Sequence, residues 1–106
     1  MDTTALETEL SEAASWLQHR DEHAVPTTRL ITTLHNCEQQ LAHSRFVRRH
    51  DEASGRTITI RIAGVESALI HVSQALVNLG KPDALDAALE NIEGALEDIA
   101  LIAPVA

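Results

Sequence analysis

The chain has no tyrosine, one phenylalanine and one tryptophan. A core without aromatic bulk is built from Leu, Ile, Val and Ala, which suits helix-on-helix packing. Platforms that stack nucleic-acid bases need exposed rings, so the low aromatic count argues against this class. Only one cysteine is present, Cys37, so no internal disulfide forms and nothing points to an oxidising compartment. No run approaches ~18 uninterrupted apolar residues, so no membrane span is expected. The N-terminus lacks a basic stretch followed by an apolar core, so no secretory signal is expected either. These absences together predict a cytoplasmic protein.

Bases are also scarce: 8 against 16 acids, a net charge of −8. The imbalance is uneven. Residues 1–25 carry six acids and one base, and residues 63–106 carry seven acids and one Lys. Residues 26–62 reverse the sign, with six Arg and three acids. The acidic ends disfavour general binding to nucleic acid or anionic membranes. The basic middle leaves room for a local partner site.

What is present is a rhythm. Ile58, Ile62, Val65, Leu69, Val72, Leu76 and Leu79 follow one another at alternating steps of four and three. After Gly80-Lys81-Pro82 it resumes with Leu85, Leu89, Ile92, Leu96 and Ile99. This is the seam of helices packed along their length on other helices. Upstream, Leu6, Leu10, Ala13 and Leu17 mark a first helix. Thr4 and Glu7 have the spacing of a capping box there. Leu30, Leu34, Cys37 and Leu41 mark a second, with Pro26 in its first turn. Beyond Leu41 the seam fails, because Ser44 and Arg48 take the expected positions. The end of helix 2 therefore leaves the bundle or rotates against it.

Residues 57–62 alternate perfectly and are rich in β-branched side chains, which read locally as a strand. Ile58 and Ile62 are nevertheless in phase with the downstream seam, and a lone strand has no evident partner. The expectation is therefore helix. The whole reads as an all-α, antiparallel up-down-up-down four-helix bundle. Its helices span about 5–20, 26–50, 57–79 and 82–103, in one domain covering residues 1–106.

The motifs of chemistry are thin. There is no Gly-x-Ser-x-Gly and no Gly-rich phosphate loop. Cys37 and His35 are two apart on a helix and face different ways. No Glu precedes any of the six His by three residues, the spacing of di-iron bundles. His19 and His23 share a face at i, i+4, but third and fourth ligands are not evident. No enzyme, metal or cofactor is expected.

Three surface features remain. Arg45, Arg48 and Arg49 fall on one flank of the expected helix 2, with Phe46 and Val47 among them and Arg56 across a loop. An apolar pair ringed by Arg has the composition of an interface hot spot. Ala63, Ile70 and Val77 form a second aliphatic ridge on helix 3, suited to a dimer contact or to another helix of the bundle. Asp83, Asp86, Glu90, Glu93 and Glu97 form an acidic stripe on helix 4. It is expected either to answer the Arg residues of helix 2 or to dock a basic partner.

The expected function is a small non-enzymatic protein–protein interaction module of adaptor, chaperone, immunity or inhibitor type. It is expected to form a homodimer and to bind neither nucleic acid nor membranes. The alternative is a bundle that holds a metal or small ligand through its histidines.

Overall fold

A computed structural model describes residues 3–62 and 64–102. Four helices run over Thr4–Gln18 (α1), Thr27–His43 (α2), Val65–Leu79 (α3) and Leu85–Ala100 (α4). Two strands, Phe46–Asp51 (β1) and Arg56–Arg61 (β2), lie between α2 and α3 as an antiparallel hairpin. The helices form a bundle in which α3 packs on α4 and α2, and α1 packs on α4 and α2.

Each helix delivers one apolar stripe to a shared core. Leu6, Leu10, Ala13, Ala14 and Leu17 come from α1, and Leu30, Leu34, Cys37 and Leu41 from α2. Val65, Ala68, Val72, Ala75 and Leu79 come from α3, and Ala88, Ile92, Ala95 and Ile99 from α4. Each fully buried Leu or Ile contributes about 1.5–3 kcal/mol through removal from water. No polar or charged residue is buried among the described residues.

The expected seams of the last two helices are turned slightly. Leu69, Leu76, Leu85, Leu89 and Leu96 are only partly buried, while Ala68, Ala75, Ala88 and Ala95 sit at the centre. Small side chains at the contact let α3 and α4 approach closely. Gly94 marks the same closeness, because a Cβ there would lie 3.1 Å from the His71 ring. The helix starts shift as well. Thr3, not Thr4, is the N-cap of α1, and Pro26 is the N-cap of α2 rather than a first-turn residue. Pro82 lies in the turn before α4.

The larger correction concerns residues 44–62. Helix 2 does not reach residue 50, and helix 3 does not begin at 57. Thr57-Ile58-Thr59-Ile60 is the strand its alternation indicates, and its partner is the basic stretch 46–51. The register pairs Phe46 with Arg61, Arg48 with Thr59 and Asp51 with Arg56. The chain is therefore mostly helical, with four helices and a small two-stranded sheet that the expected bundle lacks.

Asp51 builds the hairpin loop. Its carboxylate accepts from Ala53 N–H and from the Ser54 hydroxyl, at 3.2 and 2.8 Å, and its carbonyl accepts from Gly55 N–H at 2.8 Å. Gly55 closes the loop at φ 69°, a conformation that favours glycine. Gly64, at φ 89°, turns the chain from the hairpin into α3.

The molecule measures 58 × 21 × 18 Å. The 16 residues of α4 span about 24 Å, and a six-residue strand about 20 Å. The long dimension therefore needs the hairpin to project beyond the helices as an arm.

Candidate functional site

The arm starts directly from the end of α2. Arg45 stands at its base, where Ile62 N–H donates to the Arg45 carbonyl at 3.0 Å. The Arg45 guanidinium lies 3.9 Å from the Glu66 carboxylate of α3 and 6.0 Å from the centre of the Phe46 ring. Among the described residues, the buried Arg45 Nε has no hydrogen-bond partner. Phe46 itself is 48% exposed. An aromatic ring half in water beside a guanidinium gains when a partner desolvates it.

Beyond this base, no helix packs substantially on the ribbon among the described residues. Arg48 and Arg56 are exposed. The five expected partner-binding residues, Arg45, Phe46, Arg48, Arg49 and Arg56, do fall on one structural unit. They do not share a helix flank. Strand alternation puts positions 48 and 49 on opposite faces of the ribbon, and position 56 on the face of 49. The Arg49 side chain lies outside the described part.

The other expected surfaces separate. Ile70 and Val77 are 55% and 60% exposed and border an open, shallow apolar groove of about 460 Å³ on α3. Ala63 lies outside the described residues. The reading of this ridge as cover for another helix therefore fails at Ile70 and Val77.

The acidic stripe Asp83, Asp86, Glu90, Glu93 and Glu97 is exposed throughout. Among the described residues it does not answer Arg29, the one Arg of α2, because α4 packs on α1 and α3 instead. Asp86 pairs with Arg20 at the end of α1. Arg29 of α2 pairs with Glu12 of α1 at 2.6 Å.

The histidines disperse. His19 Nδ1 donates to the Ser15 carbonyl at 2.9 Å, and His23 meets Trp16 edge-on with centroids 6.3 Å apart. No group of three or more His, Cys, Asp or Glu among the described residues is placed to hold a metal.

Two polar contacts escape any reading of spacing. His71 on α3 bonds Asp98 on α4, Nδ1 to Oδ2 at 2.7 Å. Cys37 on α2 donates its thiol to Glu9 of α1 at 3.3 Å. Burial first, and then the Glu9 hydrogen bond and charge, push the Cys37 pKa up to about 12. A thiol held protonated is a poor nucleophile. The His71–Asp98 pair ties α3 to α4. The only signal of this pair in the sequence is Gly94, which clears space for a ring on the facing helix.

No helix among the described residues is long and apolar enough to cross a membrane. Comparison with known protein families, with curated proteins and with solved structures finds no match to this chain.

Proposed function

We propose that the chain is a small non-enzymatic protein-binding module, in which a helical bundle carries a basic β-arm to an acidic surface of a partner protein. We read the bundle as up-down-up-down. Contacts across neighbouring helices support this, since partner numbers rise on one helix as they fall on the next. Glu12 meets Arg29 while Glu9 meets Cys37, and His71 meets Asp98 while Asn78 meets Asn91.

One observation carries the binding reading: the arm stands outside the core. A two-stranded hairpin is marginal in water unless something covers it. Phe46 and Arg48 are exposed on it, at consecutive positions of one face. An aromatic and an Arg side by side form a common anchor pair in protein interfaces. Residues 45–62 carry five Arg and two acids, so the arm suits an acidic partner surface.

The test is affinity capture from the cells that make the protein, with wild type against Phe46→Ala and Arg48→Glu. Both variants should lose the captured partner while melting at nearly the wild-type temperature. If Phe46→Ala instead destabilises the fold by ~3 kcal/mol or more, the ring belongs to the core and the reading fails.

A further inference from the structure

We infer that the free edge of β2 pairs with β2 of a second copy, giving a two-fold dimer with one continuous four-stranded sheet, centred on Thr59. The inference rests on the reading of the arm as an interaction surface and assigns each of its two edges a separate task.

Ile62 N–H bonds the Arg45 carbonyl, and the pairs alternate from there in antiparallel fashion. By that alternation the pairs Val47–Ile60 and Arg49–Ile58 are the hydrogen-bonded ones, and the pairs Phe46–Arg61, Arg48–Thr59 and His50–Thr57 are the non-hydrogen-bonded ones. Residues 57, 59 and 61 therefore turn their backbone N–H and C=O outward along β2. Residues 48 and 50 do so along β1.

The two edges differ in protection. β1 reads Phe-Val-Arg-Arg-His-Asp. Consecutive charges on an edge oppose pairing with another strand. β2 reads Arg-Thr-Ile-Thr-Ile-Arg, and its middle four residues include no charge, Pro or Gly. That is an unprotected, β-branched edge. It is also self-complementary. With Thr59 of one copy opposite Thr59 of the other, the outward-turned residue 57 meets the outward-turned 61 of the second copy. Ile58 then stands opposite Ile60, twice, across the two-fold. Every hydrogen-bonding position of the new ladder finds a partner, and one isologous contact closes the assembly.

Charge selects the same arrangement. Outside residues 45–62 the chain carries 14 acids and three bases, so two bundles repel on contact. Antiparallel β2 strands send the two bundles to opposite ends of the sheet. Beyond about 8 Å at physiological salt, that repulsion is largely screened. In the β2 dimer both β1 edges remain outermost, with Phe46 and Arg48 available to a different partner.

The test uses the full chain in light scattering and cross-linking. Wild type at about 100 µM should give about 23 kDa, twice the 11.5 kDa of the chain. Thr59→Pro removes an outward N–H and no hairpin bond, and Thr59→Lys sets two charges face to face at the two-fold. Both should weaken the dimer by about tenfold or more without changing the helical circular dichroism or the melting temperature. Under oxidation Thr59→Cys should trap a covalent dimer, since directly paired residues lie within disulfide reach. Arg48→Cys should not, and Cys37 is buried.

A mass of 11.5 kDa throughout, or a dimer that survives both Thr59 substitutions, overturns the inference. So does a dimer that dissociates with Ile70→Asp but not with Thr59→Lys. A monomer whose partner capture still depends on Phe46 and Arg48 ends the inference and leaves the proposed function standing. A β2 dimer whose capture ignores those residues does the reverse.

Discussion

Raising the pH from 8 to 10.5 should destabilise the fold through one thiol. Cys37 is fully buried between α1 and α2, and burial together with Glu9 pushes its pKa from about 9 to about 12. Below pH 9 the thiol is protonated in the folded and the unfolded chain alike, and stability does not depend on it. Between 9 and 12 the unfolded chain releases a proton that the folded chain keeps. The unfolded state then binds fewer protons, so stability falls as pH rises. The slope is about 1.4 kcal/mol per pH unit. At pH 10.5 the loss is about 2 kcal/mol, a large share of the 5–15 kcal/mol typical of a domain.

The composition makes this window unusually clean. With no Tyr and a single Lys, few other side chains ionise between pH 8 and 10.5. The assay is urea unfolding followed by circular dichroism, at several pH values and with a reductant present. Cys37→Ser keeps a donor toward Glu9 and does not titrate. Its stability at pH 8 is the lower of the two, and the difference should shrink by about 2 kcal/mol at pH 10.5. Glu9→Gln should keep most of the slope, because burial is the largest cause of the shift. If wild type and Cys37→Ser fall in parallel over this range, the thiol is not held protonated and the packing described between α1 and α2 is wrong.

Three further outcomes test the fold. Gly64→Ala should cost about 1–3 kcal/mol in urea unfolding, because φ 89° strains any L side chain and the new Cβ would sit 3.2 Å from the Asp98 carbonyl. Asp98→Ala should cost about 1–3 kcal/mol by the same measurement, since it leaves the partly buried His71 ring unpaired. Replacing residues 47–60 with a short Gly-Ser link should leave the melting temperature of the helices within a few degrees, because the arm lies outside the core.

The helices were legible because burial imposes a period. Leu6, Leu10 and Leu17, or Leu30, Leu34 and Leu41, have no other reason to recur at three and four, and all are buried. The loss of that period after Leu41 correctly marks where α2 stops serving the core, since the helix ends at His43. The strand Arg56–Arg61 is also legible in its alternation and β-branching. An accident of phase hides it: Ile58 and Ile62 fit the three-four register of Val65 and Leu79. Ile62 packs against the core, and it does so at the arm's base.

The missing element in the reading was the partner strand. Phe46-Val47-Arg48-Arg49-His50 carries too much charge to alternate, so it has no strand signature of its own. Pairing is a property of two segments, and here only one of them announces it. Apart from the space that Gly94 leaves for a ring, contacts such as His71–Asp98 and Cys37–Glu9 are illegible for a related reason. They depend on which helices become neighbours and at what height, and periodicity fixes only which face turns inward.

The position of the arm bears on what kind of binder this is. Among the described side chains, the core of the four helices draws on none of residues 46–61. Such a segment is free to carry a charge opposite to that of the rest of the chain. The cost falls on the ribbon, which lacks a covering layer and is marginal alone. Its order is then coupled to whatever covers it, and part of any binding free energy goes into ordering it. A second copy paired along β2 removes that cost before another partner arrives. Binding through Phe46 and Arg48 should therefore strengthen as the chain is concentrated past its dimerisation threshold, and Thr59→Pro should abolish that dependence while leaving the anchor residues in place.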